Sequence, residues 1–503
     1  MTPSYYNFSP DAAKLRVVKT VRIQHPSDST GLHFQERVYE ASLRDIGDSW
    51  FAIDDLRELD LAPESNMPIL HKGYFETHAH SVWCCQRRNC VDLSQAKGVD
   101  EVLNLLLEAQ PGDDGIIRAF DWDESRINVD LESFIRAVSR RMPNHYPILA
   151  ARTCGHSAIV NQSFKELFSR ESMPSFIVEK QYFDLLESIP APLKLDALKK
   201  TYKTFQQELI AMGISTLSEM SMTDTDIGLF ESLCEEGALL LDVMGVLDER
   251  HAQKTIARGP FEICNRMALG PMEKRASFSV RHWKRYLDGS LGSKTAWLKS
   301  PYSDGGGSGL AQYEFSELLE AAKVALQKGF HLSFHSIGDA STDQVIKLGK
   351  VLESPMMSRV KNDGSTKLPK TLHRIEHAQV LRDDQIDEIA RQGFWSICAQ
   401  PCHRIDDDSF ILSRLGKNRM SKLAYRAGGI LQQKVPCLMG TDAPISLWDP
   451  MRNIQAAVTH PNERERFSFS QAVWFYTTGA RMLLGMDAGV LDPSSSVFLT
   501  FEK

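Results

Sequence analysis

Several features that define whole classes of protein are missing from this sequence. No apolar run is long enough to cross a bilayer, and residues 1–18 are polar and charged where a secretory signal would be apolar. Positive charge is not in surplus, because 65 acidic residues outnumber 58 lysines and arginines. The formal net charge of −7 leaves no basic surface for nucleic acid or anionic lipid. We therefore expect a cytoplasmic protein that binds neither nucleic acid nor membrane.

Paired cysteine motifs are also absent. The nine cysteines are odd in number and scattered without a CxxC pair, which predicts reduced thiols. No low-complexity tract or short-period repeat interrupts the chain, and its 42% hydrophobic and 24% charged residues are typical of a globular protein. A chain of 503 residues can bury a large core in one elaborated barrel or in several domains.

What the sequence does contain is a change of pattern near Met67. Before it, short strands such as 15–23, 37–43 and 50–53 alternate with polar turns and predict a small β-layer. After it, apolar strands alternate with amphipathic helices, which is typical of parallel βα units and predicts an α/β fold, a (β/α)8 barrel of the TIM type. The clearest predicted elements are strand 330–335, helix 341–352, strand 371–377, helix 383–392, strands 394–400 and 435–440, and helices 450–459 and 468–484.

The stretch from about 82 to 212 is too long for a single βα loop. We interpret it as an insertion after the first barrel strand, because it carries predicted elements of its own: strands 115–120 and 146–151, and helices 100–109 and 195–212. Barrels of this kind work at the carboxyl ends of their strands, so an insertion there would cover the mouth and shape a pocket.

Candidate chemistry begins at the end of the first predicted barrel strand. Side chains alternate along a strand, so His78 and His80 point to the same side, about 6–7 Å apart, and can hold one ion. Taken alone, such a pair is equally compatible with histidines that bind no metal. Further candidate ligands, His335, His377 and Asp442, follow at the ends of later predicted strands, on the catalytic face of a barrel. Together these residues predict a metal centre.

Two of these strands carry a second histidine four residues earlier, His331 and His373. Four strand residues span about 13 Å, so only the later histidine of each pair can reach the barrel mouth. We therefore assign His331 and His373 to structural positions.

Lys284 lies in a predicted buried strand, 279–287, where a free ammonium group is costly. Reaction with CO₂ would turn the amine into an anionic carbamate that can bridge two cations. The alternative is a lysine whose ammonium group extends to a carboxylate.

Six motifs then occur in order between about Leu70 and the C-terminus. They are HKGYFETHAH from His71, ARTCGHSAIVN from Ala151, KRYLDGSLGSKTA from Lys284, FHSIGDAS from Phe334, HRIEHAQ from His373 and MGTDAP from Met439. With them the chain resembles the amidohydrolase superfamily, specifically its YtcJ-like branch (amidohydrolase family 3), which includes N-substituted formamide deformylases. The resemblance implies a metal-dependent barrel at 72–487 and a discontinuous β-sandwich formed by 1–71 and 488–503.

The resemblance also implies roles for single residues. They are His78 and His80 as ligands on the first strand, Lys284 as a carboxylated bridge, His335 and His377 as ligands of a second metal, and Asp442 as the last ligand and proton shuttle. The implied cofactor is one or two divalent ions per chain together with a CO₂-derived carbamate on Lys284. The ligand types favour Zn²⁺ and also suit Mn²⁺, Fe²⁺ or Co²⁺.

Two positions depart from the family pattern. Glu76 stands before the HxH motif, and Cys154 stands before the Gly-His pair, where relatives commonly have Asp. These differences concern substrate contacts more than the metal. Cys154 is either a soft ligand or a buried inert thiol.

Residues for substrate contact are harder to choose. The candidates are Trp122, Arg152, His156 and the loop residues Asp288, Gly289 and Ser290, where glycine lets backbone N–H groups approach an oxyanion. Each has a structural alternative: a core tryptophan, an arginine ion-paired to an acidic loop, or a tight turn.

Asp339 and Glu376 flank candidate ligand histidines in the sequence. They are candidates for fixing the tautomer of an imidazole. Strand alternation, however, points Glu376 away from the side of His377.

Three functions from different classes fit these residues. The first is hydrolysis of a C–N bond in an amide, formamide or cyclic amide by metal-activated water, with Asp442 as general base and then acid. The second is a metal-dependent lyase or decarboxylase, because fold and metal do not fix the reaction. The third is a non-catalytic binding protein, which the loss of a ligand would favour, and the sequence shows no such loss. The expected partner is a small-molecule substrate. A second copy of the chain is a further candidate partner, because the β-layer could offer it an edge or a face.

Overall fold

A computed structural model describes residues 16–27, 31–47, 50–124, 126–142, 146–153, 155–269, 272–361, 372–486, 491 and 496–502. Its strands are β1 (Arg16–Pro26), β2 (Phe34–Gly47), β3 (Trp50–Leu59), β4 (Ile69–His71), β5 (Tyr74–Ala79), β6 (Val91–Asp92), β7 (Ile117–Trp122), β8 (Ile148–Arg152), β9 (Ser157–Val160), β10 (Phe176–Val178), β11 (Ile214–Met222), β12 (Asp242–Asp248), β13 (Phe261–Leu269), β14 (Met272–Tyr286), β15 (His331–Ser336), β16 (His373–His377), β17 (Trp395–Ala399), β18 (Cys437–Met439) and β19 (Ser496–Thr500).

The helices connect these strands. They are α1 (Ser81–Arg87), α2 (Val99–Glu108), α3 (Leu131–Arg141), α4 (Gln162–Leu167), α5 (Lys180–Ser188), α6 (Leu195–Ala211), α7 (Asp224–Glu235), α8 (Gln253–Arg258), α9 (Phe315–Gln327), α10 (Asp339–Val351), α11 (Glu353–Lys361), α12 (Asp383–Gln392), α13 (His403–Asp406), α14 (Ile411–Leu423), α15 (Ala427–Gln432), α16 (Pro450–Val458), α17 (Phe469–Phe475) and α18 (Thr478–Leu483). Within the described ranges, none of them has the length and apolar character needed to span a membrane.

The central sheet is an eight-stranded parallel barrel. Its strands follow the order β5, β11, β12, β14, β15, β16, β17 and β18. A parallel bridge between Ala79 and Ala443 brings the last strand back to the first. Strands such as β5 and β15 are buried at every position, because helices cover the outside and side chains fill the inside. The predicted TIM-type barrel is confirmed.

Strands from both parts of the chain form one small β unit. β1, β2, β3, β19 and β4 close into a second, five-stranded barrel. Phe498 of β19 pairs with Trp50 on one side and with His71 on the other. The resemblance implied a discontinuous β-sandwich formed by both chain ends; strands from both ends join here and curve around one small apolar core that includes Val21 and Leu43.

The insertion has a separate five-stranded sheet, in the order β10, β9, β8, β7, β6. Apolar clusters cover both faces of this sheet. We predicted the insertion to extend to residue 212 and to include α6. The buried face of α6, with Leu198, Tyr202, Phe205 and Leu209, belongs to the core of the large barrel instead. The inserted elements therefore run from β6 to α5.

Most predicted barrel elements agree with the structure within a few residues. The predicted helix 468–484 is an exception, because the structure has α17 and α18 in its place. Thr477 between them has φ −140° and ψ −106°, which interrupts the helix.

Candidate metal centre

The structure brings the predicted ligands together around one cavity at the carboxyl ends of the barrel strands. The cavity has a volume of about 1200 Å³ and is lined by both the barrel and the insertion. The predicted ligands on its wall are His78, His80, Lys284, His335, His377 and Asp442. They come from β5, β14, β15 and β16 and from the segments that follow β5 and β18.

Asp442 occupies the centre of this group. Its Oδ1 lies 3.3 Å from His78 Nε2 and 3.2 Å from His80 Nε2. Its Oδ2 lies 4.0 Å from His377 Nδ1 and 3.8 Å from His403 Nε2. Burial alone would raise the pKa of Asp442, but the imidazoles of His78, His80 and His377 outweigh burial and hold the pKa well below its ordinary value. The carboxylate is therefore ionised.

Backbone contacts between the first and last barrel strands place Asp442 beside the histidines. The N–H of Asp442 donates to the carbonyl of His78 over 2.8 Å, and the N–H of His80 donates to the carbonyl of Ala443 over 2.8 Å. Asp442 and His377 have positive φ angles of 60° and 73°, which are uncommon outside glycine. Strained conformations of this kind cluster at functional sites, where the surrounding structure holds them in place.

Three of the histidines have one ring nitrogen fixed by a hydrogen-bond acceptor. The pairs are His78 Nδ1 to Glu376 Oε2 (2.7 Å), His335 Nε2 to the Gly289 carbonyl (3.2 Å) and His377 Nδ1 to Gln400 Oε1 (2.9 Å). Gln400 Nε2 donates to the carbonyl of Cys398 over 3.0 Å, so Gln400 Oε1 is the atom that accepts. Each neutral ring then has its lone pair on the other nitrogen, which is the form that binds a metal.

Glu376 contacts His78, across the barrel, instead of its sequence neighbour His377. Its side chain is fully buried and paired with Arg374 Nε at 2.6 Å, and it accepts a hydrogen bond from Ser333 Oγ at 2.7 Å. Burial raises the pKa of Glu376, but Arg374 and His78 outweigh burial and hold it well below the ordinary value. Glu376 is thus an anionic acceptor behind His78.

Asp339 contacts no candidate ligand, which corrects the prediction. Its Oδ1 accepts from the N–H of Lys299 at 2.9 Å, and its Oδ2 is paired with Arg382 at 3.2 Å. Asp339 begins α10, where a carboxylate is stabilised by the helix dipole. Its contacts fix a neighbouring loop to this helix.

Lys284 is almost completely enclosed. It is 1% exposed, and Nζ has no hydrogen-bond partner among the described residues. Nζ lies 4.7 Å from the ring centroid of Tyr286, whose hydroxyl contacts Ser221 Oγ at 2.6 Å. In the part of the chain that the structure covers, Lys284 has no carboxylate within ion-pair distance. The alternative of a lysine paired with a carboxylate is therefore not observed.

The donor set fits a divalent metal ion. His78 Nε2, Asp442 Oδ1 and Lys284 Nζ are buried polar atoms that have no hydrogen-bond partner in the described ranges. Such atoms are costly, and binding to an ion removes that cost. His78, His80 and Asp442 offer ligand atoms that lie within 4.8 Å of one another. Imidazole nitrogen and carboxylate oxygen are donors that zinc and the neighbouring divalent metals accept.

Arg152, His156 and Ser290, which we predicted to contact the substrate, border the cavity. Arg152 is paired with Asp123 at 3.0 Å and with Glu124 at 2.8 Å. Its charge is therefore already compensated, which matches the structural alternative for this residue.

His156 is held close to the metal ligands. Its Nδ1 contacts Glu179 Oε2 at 3.1 Å. The ring packs against His335 with 5.3 Å between centroids and against Phe183 with 5.6 Å. His156 thus links the insertion to the wall of the metal centre.

Trp122 does not border the cavity, which corrects the prediction that it contacts the substrate. It is completely buried, and its Nε1 donates to the carbonyl of Ala150 over 2.8 Å. Its ring packs on Phe134 with 5.0 Å between centroids. Trp122 is a core residue of the insertion.

Asp288 and Gly289 also lie behind the cavity wall. Asp288 accepts hydrogen bonds from the backbone N–H groups of Ile337, Gly338 and Trp297 at 2.8–3.0 Å, and burial raises its pKa to about 7. A Cβ on Gly289 would lie 2.2 Å from an oxygen of Glu179. Asp288 and Gly289 therefore support His335 from behind, and within the predicted substrate loop Ser290 is the residue that reaches the cavity.

Of the two residues that depart from the family pattern, the structure describes Glu76. Glu76 lies behind the ligands and accepts from the N–H of Thr441 at 2.7 Å and from Tyr476 Oη at 2.5 Å. Burial raises the pKa of Glu76 to about 7. Glu76 thus connects β5 to the end of β18 and does not face the cavity. Cys154 lies outside the described residues.

His403 and Glu219 are cavity residues that were not predicted from the sequence. His403 follows β17 and faces Asp442, and its position just after a strand end is the signal that identified the candidate ligands. Glu219 of β11 accepts from the N–H groups of Ser81 and Val82 at 2.9 and 3.0 Å, so it holds the start of α1 directly after His80. Its place inside a strand gave no comparable signal.

Histidines and a carboxylate converge at the carboxyl ends of the strands of a parallel barrel, which is the arrangement of a metal-dependent enzyme. The chain belongs to the amidohydrolase family, whose family profile matches residues 73–494. It is 25% identical over 447 residues to a Bacillus subtilis (strain 168) protein named "Putative amidohydrolase YtcJ", covering 82% of this chain and 80% of that protein.

Further similarities are more distant. The Arabidopsis thaliana protein LONG AFTER FAR-RED 3 is 27% identical over 223 residues, which cover 42% of this chain and 36% of the plant protein. An uncharacterized metal-dependent hydrolase from Pyrococcus horikoshii OT3 superimposes with a TM-score of 0.68 at 21% identity, covering 97% of this chain and 98% of that one. A second, from Pyrococcus furiosus, has a TM-score of 0.65 at 21% identity, covering 97% and 99%. These two share the fold.

Proposed function

We propose that this protein hydrolyses the C–N bond of an amide, a formamide or a cyclic amide. The observation that carries the proposal is the position of Asp442, a carboxylate on the cavity wall whose two oxygens face different histidines. A carboxylate beside metal-binding nitrogens can serve both as a ligand and as a proton carrier. Membership of the amidohydrolase family supports this reaction class.

The residues of the site have separate roles in the proposed reaction. A bound divalent cation, held by His78, His80 and Asp442, would polarise the amide carbonyl and acidify water. Asp442 takes a proton from the attacking water and delivers it to the leaving nitrogen, so that an acid and an amine result. Glu376, behind His78, keeps the Nε2 lone pair directed at the site.

A second ion and the bridge between the two belong to the same proposal. His335 and His377 direct lone pairs toward the cavity from β15 and β16, and Lys284 ends between the two histidine groups in the strand order. An amine without a partner at that position favours a CO₂-derived carbamate, because the carbamate would supply two anionic oxygens. The donor set favours Zn²⁺ in both positions.

The metal content of the purified protein tests the site. We expect up to two equivalents per chain in the wild type and a clear loss in a His78→Ala, His80→Ala double variant. His25→Ala is the matched control, because His25 lies in the small β-barrel, outside the cavity. If the reconstituted wild-type protein bound no metal, the proposal would be wrong.

Product analysis tests the reaction. The metal-loaded protein is incubated with N-formyl amines, N-acyl amines and cyclic amides, and released amine and carboxylic acid are quantified. Release of CO₂ without a matching amount of acid would indicate a lyase or decarboxylase and contradict hydrolysis.

A further inference from the structure

We infer that His403 is a hydrogen-bond donor to the carbonyl oxygen of the scissile amide, a role that rests on the proposed hydrolysis. His403 begins α13, directly after the turn that follows β17, and borders the cavity next to Asp442. Its side chain is buried, and its Nε2 has no hydrogen-bond partner among the described residues. Nε2 is thus a buried polar atom without a described partner, on a residue of the cavity wall.

The tautomer of His403 distinguishes it from the candidate metal ligands. Its Nδ1 lies 2.8 Å from Nε2 of Gln379, an amide NH₂ group that only donates. With the amide in this orientation Nδ1 accepts, and a neutral ring then carries its proton on Nε2. In His78, His335 and His377 the fixed nitrogen donates instead, and the lone pair is on the other nitrogen.

The Nε2–H group of His403 is fixed in orientation but makes no hydrogen bond within the described residues. Its distance to Asp442 Oδ2 is 3.8 Å, beyond the usual hydrogen-bond length of about 2.7–3.2 Å. The ring lies nearly parallel to that of His377, with an angle of 14° and 6.2 Å between centroids. The backbone N–H of His403 donates to the carbonyl of Gln400 over 3.0 Å. These contacts fix the direction of the donor beside the general base.

A fixed donor at this position suits the oxygen of an amide. As water attacks, the carbonyl oxygen gains negative charge, so a donor there stabilises the transition state more than the substrate. His403 keeps its proton throughout the reaction, and only the strength of the hydrogen bond changes. Because the donor is already oriented, no reorganisation is needed when the charge develops.

Geometry alone would permit another role. His377, His403 and Asp442 have ligand atoms within 4.8 Å of one another, so by distance alone His403 could bind a metal together with the other two residues. A protonated Nε2 has no lone pair to offer, so the Gln379 contact argues against this role. The two roles make different predictions for metal content.

The experiment compares three variants of the metal-loaded protein with the wild type. His403→Ala removes the donor, whereas His403→Gln keeps a side-chain N–H. Gln379→Glu replaces the amide donor by a carboxylate, so that Nδ1 becomes the protonated nitrogen and Nε2 loses its hydrogen. His25→Ala is the control for the loss of a histidine outside the cavity. The probe is acetohydroxamate, whose carbonyl oxygen resembles that of an amide, titrated against Co²⁺-loaded protein by visible absorption.

We expect equal metal content in all variants. His403→Ala and Gln379→Glu should bind acetohydroxamate about tenfold more weakly than the wild type, while His403→Gln should retain most of the affinity. With an amide that the wild type cleaves, kcat should fall about 10²–10³-fold in His403→Ala with little change in KM.

Two outcomes would overturn the inference. Loss of a metal equivalent in His403→Ala would make His403 a ligand. Equal affinity for the probe at equal metal content would show that it donates nothing to a carbonyl oxygen. Both outcomes leave the proposed hydrolysis standing, which fails only if the wild-type protein takes up no metal or releases no amine.

Discussion

Glu376 and His78 are 298 residues apart in the sequence, yet Glu376 Oε2 accepts a hydrogen bond from His78 Nδ1 at 2.7 Å with both side chains fully buried. The strands that carry them are not neighbours in the sheet, so the contact crosses the interior of the barrel. Arg374, in turn, holds the carboxylate of Glu376. This chain of contacts fixes the orientation of the His78 ring.

The first prediction concerns this orientation. Glu376→Gln removes the anionic acceptor, and we expect the affinity for the metal to fall about 10–100-fold because the His78 ring is less basic and less fixed. Competition with a chelator measures the change. Glu388→Gln, on α12 and outside the cavity, is the matched control. Since Arg374 loses its counter-charge, thermal unfolding of the variant must show a folded protein; unchanged metal affinity in a folded variant would contradict the role of Glu376.

The second prediction concerns proton transfer. Asp442→Asn keeps the size of the side chain and removes its basicity, so amine release should fall by about 10²–10⁴-fold. Rates are compared at equal metal content, so that loss of a ligand and loss of the base are separated. Asp387→Asn, at an exposed position of α12, should react like the wild type. An Asp442→Asn enzyme with full metal and full rate would exclude Asp442 as the proton carrier.

The third prediction concerns Lys284. If a carbamate bridges two ions, the second equivalent of metal should bind only when bicarbonate is present, and ¹³C-labelled bicarbonate should produce a carbamate resonance in the NMR spectrum. Lys284→Gln should lose both effects, whereas Lys323→Gln on exposed α9 should keep them. Full loading in CO₂-free buffer would argue for an unmodified lysine.

The fourth prediction concerns the stability of the scaffold. Burial raises the pKa of Glu219 from 4.5 to about 8, so the folded protein retains a proton that the unfolded chain releases. The free energy of unfolding therefore receives a contribution that declines as the pH rises from about 4.5 to about 8. Glu219→Gln should remove this decline, and Glu235→Gln, at the exposed end of α7, should not.

Urea midpoints between pH 5 and pH 8 provide the measurement for Glu219. Chelator-treated protein is used, because metal binding has a pH dependence of its own. Parallel curves for the wild type and Glu219→Gln would show that Glu219 is ionised in the folded state and that the prediction is wrong.

The barrel could be predicted from the sequence because its signals are local. Each βα unit shows its own apolar strand and amphipathic helix, and the ends of strands are where catalytic side chains collect. His335, His377 and Asp442 could be located by this rule alone. His403 follows the same rule after β17, but three residues in a turn separate it from the end of the strand, so it does not stand where a strand visibly ends in the sequence.

Contacts behind the ligands could not be predicted in the same way. Asp288 is close in sequence to Lys284 and Asp339 to His335, yet their carboxylates turn toward backbone N–H groups of loops. Trp122 is adjacent to acidic residues that border the cavity, while its own ring enters the core of the insertion. The direction of each of these side chains depends on its tertiary contacts, which the spacing of residues along one strand does not indicate.

The join between β5 and β18 includes residues that we propose bind the metal. The backbone N–H of Asp442 donates to the carbonyl of His78, and Glu76 reaches Thr441, 365 residues further along the chain. An ion bound there would hold the first and last strands together at the seam between β5 and β18, where the barrel closes. By mass action, each tenfold excess of metal over its dissociation constant adds about 1.4 kcal/mol to the free energy of unfolding. Amide hydrogens along the seam should accordingly report metal occupancy through their exchange with solvent.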